Sequence, residues 1–171
     1  MRYFIFIVAF IVGFYAYDAF AHAELDCNEV SFGEYDYTDV SNNRPTRNNN
    51  PGNIRKTKRK YYGETSNDAG FESFAAPEWG YAAMFDLLDR LYTNLSMNDA
   101  IHKWAPPHEN NTEKYINFVA KNTGYDRYKY KVDVKNESII DFVKYMSILE
   151  GMKGFTDDDV TFGYMIWEKC Y

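Results

Sequence analysis

Cysteine is scarce in this chain of 171 residues, with Cys27 and Cys170 the two present. Histidine is nearly as scarce, and His102 and His108 have neither the spacing of a zinc pair nor a cysteine beside them, so no metal site is expected. No Gly-rich phosphate loop occurs, and no Ser or Cys nucleophile stands in a recognisable constellation. These absences leave no expected cofactor. No internal repeat is visible. Positive charge is absent from Glu24 to Asn43, and negative charge is absent from Arg44 to Lys60. The apolar run from Tyr3 to Tyr17 is shorter than the roughly 20 residues a membrane span needs, and Asp18 closes it.

What is present begins with an address. Arg2, the apolar run and the small-x-small sites Ala19-Phe20-Ala21 and Ala21-His22-Ala23 form a secretory signal pattern, with cleavage expected after Ala23 and an uncleaved signal anchor as the competing outcome. Leu25-Asp26 before Cys27 lacks the small residues of a lipoprotein site. Cleavage leaves roughly 150 residues, enough for one domain with a buried core and no membrane span. In an oxidising compartment Cys27 and Cys170 could bridge the two ends; free thiols are the alternative. The net charge of −6 on an exported chain argues against nucleic acid as a partner.

Residues 24–43 read as an acidic, aromatic arm, and residues 44–60 as a basic region of turns. The pattern then becomes helical. Pro77 and Glu78 start a helix whose apolar set is Tyr81, Met84, Phe85, Leu88, Leu91 and Tyr92. Ser96 and Asp99 form a capping box before Met97, Ile101 and Trp104, and Pro106-Pro107 stops that helix. Asn111 or Thr112 opens a third, with Ile116, Val119 and Ala120 inward and Gly124 past its end. A fourth runs from about Glu137 to Glu150 with Gly151 as its stop, and Thr156 caps a fifth whose first turn holds Asp157, Asp158 and Asp159. Tyr125 to Val134 is either a short strand or an extended loop. The expected class is mainly α.

The segment RNNNPGNIRKTKRKYYGE, Arg47 to Glu64, sets five basic residues from Arg55 to Lys60 beside a polar turn. Asparagine triplets and Pro-Gly are turn chemistry on their own. Together with GFESFAAPEWGYAAMFDLL and AIHKWAPPHENNTEKYINFVAKNTG, the segment resembles a family of small phage and bacterial proteins carrying R-N-N-N-P-x-N-I-R and W-A-P-P-x-E-N-x-T motifs, over roughly residues 44–163. Members of that family are often labelled phage structural or lytic proteins. The pieces NNPGNI, YYG, FESFAAPEWGYAAMFDLL and TEKYINFV are also similar, in order, to the later pieces of flagellar and autolysin-type glucosaminidases. The catalytic helix of those enzymes is missing upstream. FVKYMSILEG stands downstream instead, similar to the hydrophobic-Glu-x-Gly ending of lysozyme-like enzymes. The resemblance implies a lysozyme-like helical domain over residues 44–171, circularly permuted, with Glu150 in the acid position.

Glycosidic cleavage needs a proton delivered to the leaving oxygen, and a Glu shielded by apolar neighbours keeps its proton near neutral pH. Met146, Ile148 and Leu149 could shield Glu150; the competing possibility is a helix-end residue that faces water. Glu64, after the aromatic-Gly step, is the other candidate catalytic carboxylate, against an exposed loop charge. Asn49, Asn50 and Asn53 are expected to bond sugar acetamido and hydroxyl groups, and Tyr61, Tyr62 and Trp79 to offer ring faces. Glu109 is either a further groove residue or a helix-entry acid. The basic run would meet the anionic stems of peptidoglycan. The expectation is therefore a secreted or periplasmic, monomeric enzyme cleaving peptidoglycan glycan strands as a muramidase, glucosaminidase or lytic transglycosylase. The alternative is a non-catalytic phage structural or wall-binding protein.

Overall fold

The computed structural model describes residues 26–28, 30, 32 and 42–171. The expected signal peptide, residues 1–23, and most of the 24–43 arm lie outside the described residues. Along the chain come α1 (Arg44–Arg47), the strands β1 (Glu64–Asp68) and β2 (Phe71–Phe74), then α2 (Pro77–Tyr92), α3 (Met97–Trp104), α4 (Thr112–Thr123), α5 (Ser138–Glu150) and α6 (Asp157–Cys170). The protein is mainly helical with one small antiparallel hairpin.

Helix α2 is the axis of the fold. Pro77 occupies its first turn, where a missing N–H is harmless, and Tyr81, Met84, Phe85 and Leu88 are fully buried. The helix is buried on most sides, and each such apolar side chain taken from water contributes about 1.5–3 kcal/mol. Helix α6 lies against it at backbone distance. A Cβ added at Gly163 would stand 2.3 Å from the Tyr81 Cβ and 3.0 Å from the Glu78 carbonyl oxygen, so only glycine permits this approach. The start of α6 is fixed by the Thr156 and Asp159 capping box.

Side-chain caps begin α3 and α4, and glycines end α4 and α5. Ser96 accepts from the Asp99 amide at 3.1 Å, Asn111 accepts from the Lys114 amide at 3.1 Å, and Gly124 and Gly151 close α4 and α5 in the left-handed conformation. The segment 125–134 is an extended loop with one bridge, Ser96 to Lys131, and it buries Val132 and Val134 completely. The core joins Phe85, Ile101, Ile116, Phe142, Met146 and Ile166 across five helices. Cys27 and Cys170 are disulfide-bonded, tying the N-terminal segment to the end of α6. No helix among the described residues is long and apolar enough to cross a membrane.

The hairpin turns through Ala69 and Gly70, both at positive φ, the geometry of a tight two-residue loop. The asparagine-rich loop 48–54 then docks beside β2. The Phe74 amide donates to the Asn48 carbonyl at 2.9 Å, and the Glu72 amide to the Ile54 carbonyl at 2.9 Å. The loop also lies directly on α2, since a Cβ at Gly80 would meet the Asn49 carbonyl oxygen at 1.9 Å and Pro51 Cδ at 2.5 Å.

Candidate functional site

Three segments converge on the C-terminal end of α5. Asn43 donates through Nδ2 to the Gly151 carbonyl at 2.7 Å, and the Lys153 amide donates to Thr46 Oγ1 at 2.9 Å, which locks α1 onto the residues after Glu150. Trp104, last in α3, donates its indole N–H to Glu150 Oε1 at 2.9 Å. Tyr115, in α4, places its hydroxyl 3.1 Å from the same oxygen and 3.2 Å from the Met146 carbonyl. The Asn53 side chain also hydrogen-bonds Glu150, and its Oδ1 accepts from Arg44 Nε at 3.0 Å.

Glu150 is half-buried and lines a cleft of about 590 Å³ together with Arg44, Asn53, Arg55, Phe71 and Trp104. Tyr92, Glu109 and Asn110 complete much of the remaining wall. Burial pushes the Glu150 carboxyl above the usual range, although the Trp104, Tyr115 and Asn53 hydrogen bonds and the Arg44 charge all oppose that rise. Burial outweighs them. Tyr115 is itself pushed well above the ordinary phenol value, first by burial and then by Glu150, so it stays a neutral hydroxyl. An indole can only donate, so Oε1 must accept from Trp104, and the proton of the acid form belongs on Oε2. The arrangement is a carboxyl group held in one orientation and able to release a proton into a cleft.

Two guanidinium groups lie over the Phe71 ring, with Arg44 Cζ 3.4 Å and Arg55 Cζ 5.1 Å from its centroid. Arg55 also pairs with Glu109 at 3.4 Å across the cleft mouth. Gly52 sets the depth here: a Cβ would meet Trp104 Cζ2 at 3.0 Å and Met84 Sδ at 3.1 Å, so any side chain crowds the indole. A second depression of about 410 Å³, lined by His102, Pro107 and Glu113, shares Asn110 with the cleft. Its carboxylate is a poor proton donor, because the hydrogen bonds from Arg127 hold Glu113 below its ordinary value.

The residues singled out in the sequence divide sharply. Glu150, Asn53 and Glu109 come together on the cleft. Asn49 and Asn50 lie outside the cleft lining. Asn49 donates to the Phe74 carbonyl at 3.0 Å, and Asn50 holds the amide and carbonyl of Ile54 at 2.8 and 2.9 Å and the Glu72 carbonyl at 3.0 Å, so these buried amides are occupied internally. Trp79, at 2% exposure, is a core residue, and the Gly63 Cα lies hard against its ring. Tyr61 is buried edge-on against Phe74, and Tyr62 stacks on Trp79 with its ring edge toward Tyr171; none of the three lines the cleft.

Glu64 is likewise outside the cleft lining, in an ion cluster with Lys56 and Lys60; Lys56 also reaches the fully buried Glu72 at 3.0 Å. Burial would raise the Glu64 carboxyl, but hydrogen bonds from Lys56, the Tyr61 amide and Lys60 together hold it below its usual value. These partners favour its ionised form. Sequence reasoning missed Arg44, Phe71, Tyr115 and the polar role of Trp104. The usable signal was that a buried Trp N–H or Tyr O–H needs a hydrogen-bond partner.

Among the described residues no group of His, Cys, Asp or Glu side chains is arranged to hold a metal ion. No protein-family model matches the sequence. The chain is 34% identical over 129 residues, spanning 71% of its length and 79% of the relative's, to Protein P5 of Pseudoalteromonas phage PM2, and it belongs to the family of that phage protein.

Proposed function

We propose that this protein is an exported enzyme that cleaves the glycan strands of peptidoglycan, with Glu150 as general acid, on a lysozyme-like helical domain whose acid-bearing helix comes late in the chain. The observation that carries the proposal is the half-buried Glu150 carboxyl, raised above its ordinary range by burial and oriented by Trp104 and Tyr115 at the wall of a ligand-sized cleft. Clefts of this size with a few convergent polar groups and a perturbed carboxyl are the usual setting of catalysis.

Glu150 Oε2 gives its proton to the glycosidic oxygen as the bond from that oxygen to the anomeric carbon breaks, and the leaving oxygen keeps the electron pair. A water molecule or one of the sugar's own hydroxyls closes the anomeric carbon and returns a proton to Glu150. Trp104 and Tyr92 supply aromatic walls for sugar faces, Asn53 an amide, and Glu109 a second carboxylate in the same cleft. The disulfide between Cys27 and Cys170 supports export, because such bonds persist in oxidising compartments.

A non-catalytic phage structural or wall-binding role is favoured by one observation, the withdrawal of Glu64, Tyr61, Tyr62 and Trp79 from the cleft. Zymography on purified sacculi separates the two. Clearing by the protein without its first 23 residues is expected, and absence of clearing from pH 4 to 9 defeats the enzyme assignment.

A further inference from the structure

The geometry points to a carboxylate-binding subsite formed by Arg44 and Arg55 over Phe71, which would select glycan strands carrying acidic substituents over neutral ones. The inference rests on the glycosidase proposal for its substrate and on the cleft for its chemistry. Two like charges on one aromatic ring repel each other, and the ring face offsets only part of that repulsion. Arg44 forms no ion pair with a carboxylate of the described residues; its Nε goes to Asn53 Oδ1, and that bond fixes the side chain. Arg55 has a single exposed partner, Glu109, at 3.4 Å, a contact of little strength and easily exchanged.

Both guanidinium groups therefore line the cleft with donors available for an anion. Planar guanidinium forks match a carboxylate in two-point geometry, which a lysine pair would not do. The backbone holds them in place: Arg44 begins α1, which is locked to the end of α5, and Arg55 is bridged to Phe71 on β2. The subsite thus sits at a fixed position relative to Glu150, joined through Asn53. A strand bearing a lactyl carboxylate, or a peptide stem with its own carboxylates, meets both the cations and the acid. A neutral chitooligosaccharide of equal length meets only the acid and the aromatic walls.

The test uses the Glu150→Gln protein, which should bind without cleaving, in calorimetric titrations with three soluble oligosaccharides of equal length. One carries peptide stems, one is stripped to lactyl carboxylates, and one is neutral chitooligosaccharide. Either acidic oligomer should bind at least about tenfold more tightly than the neutral one, the value of one charge-assisted pair. Which acidic oligomer binds better tells whether lactyl or stem carboxylates fill the subsite. Arg55→Met, at an exposed position that folding tolerates, should lose much of this preference, and adding Arg44→Met should abolish it. Equal binding of neutral and acidic oligomers, with cleavage by the unaltered protein, overturns the subsite and leaves the glycosidase. Acidic preference without cleavage by the unaltered protein does the reverse, and failure to bind any oligomer overturns the subsite whether or not the unaltered protein cleaves.

Discussion

Glu150 is a carboxyl whose folded environment prefers the protonated form, and that preference has a signed consequence for stability. Its folded pKa lies above the unfolded one, so the group's contribution is fully present below the ordinary carboxyl range and is lost as pH rises through the folded value. Thermal melts of the original protein and of Glu150→Gln should therefore diverge with rising pH in that window, in favour of the variant, by at most about 1.4 kcal/mol per pH unit for one proton. A stability difference independent of pH contradicts the raised carboxyl. Trp104 acts on the same proton from the other side, because its N–H stabilises the charged form. In Trp104→Phe the alkaline limb of the pH–rate profile should move up, by about one pH unit if the lost bond is of ordinary charge-assisted strength. A downward shift would show that the indole does not stabilise the ionised acid. The helix end at Glu150 was legible in the sequence, but the partners of its carboxyl were not. Trp104 reads as one more apolar residue on a helical face, and Tyr115, beside Ile116, carries no local signal of its role.

At the scale of elements, the five longer helices were legible because their signals are local: Pro77, Ser96, Asn111 and Thr156 begin α2, α3, α4 and α6, and Gly124 and Gly151 end α4 and α5. The hairpin was not. β1 reads Glu-Thr-Ser-Asn-Asp with no apolar alternation, and β2 is buried along its whole length, Glu72 included. Burial of Glu72 becomes tolerable through Lys56, a pairing 16 residues apart, and the neighbouring Thr57 amide. The asparagine loop shows the same limit. Its composition announces a turn, yet the turn serves to seat backbone on α2 at Gly80, and the contact with a distant glycine cannot be read from local residues. Gly80→Ala places a methyl within 1.9 Å of the Asn49 carbonyl oxygen. It should destabilise the protein by about 1–3 kcal/mol, as overpacked sites do, and loosen Asn53 and Arg55 at the cleft. Chemical denaturation measures the first effect. An unchanged midpoint would mean that the loop is not held against α2 as described.

Across the whole molecule, a core spread over five helices is closed by one covalent tie between Cys27 and Cys170, 143 positions apart. A loop of that span is worth about 5 kcal/mol in the chain-entropy model, with 2–4 kcal/mol typical of measured bridges. Melting with and without reductant should reveal a loss in this range, and non-reducing mass analysis should find the oxidised form; equal melts would mean the tie adds nothing. The docked α1 and the asparagine loop hold the end of α5 at the cleft. The central claim is that this end delivers a proton, and the most direct measurement is the rate at which Glu150→Gln and the original protein release soluble fragments from purified sacculi, followed by mass analysis of the new sugar ends. General acid catalysis is worth about 10²- to 10⁴-fold, so the variant should fall by that factor while retaining its fold, and Glu64→Gln should remain active. Fragment release by Glu150→Gln at the original rate would contradict the assignment.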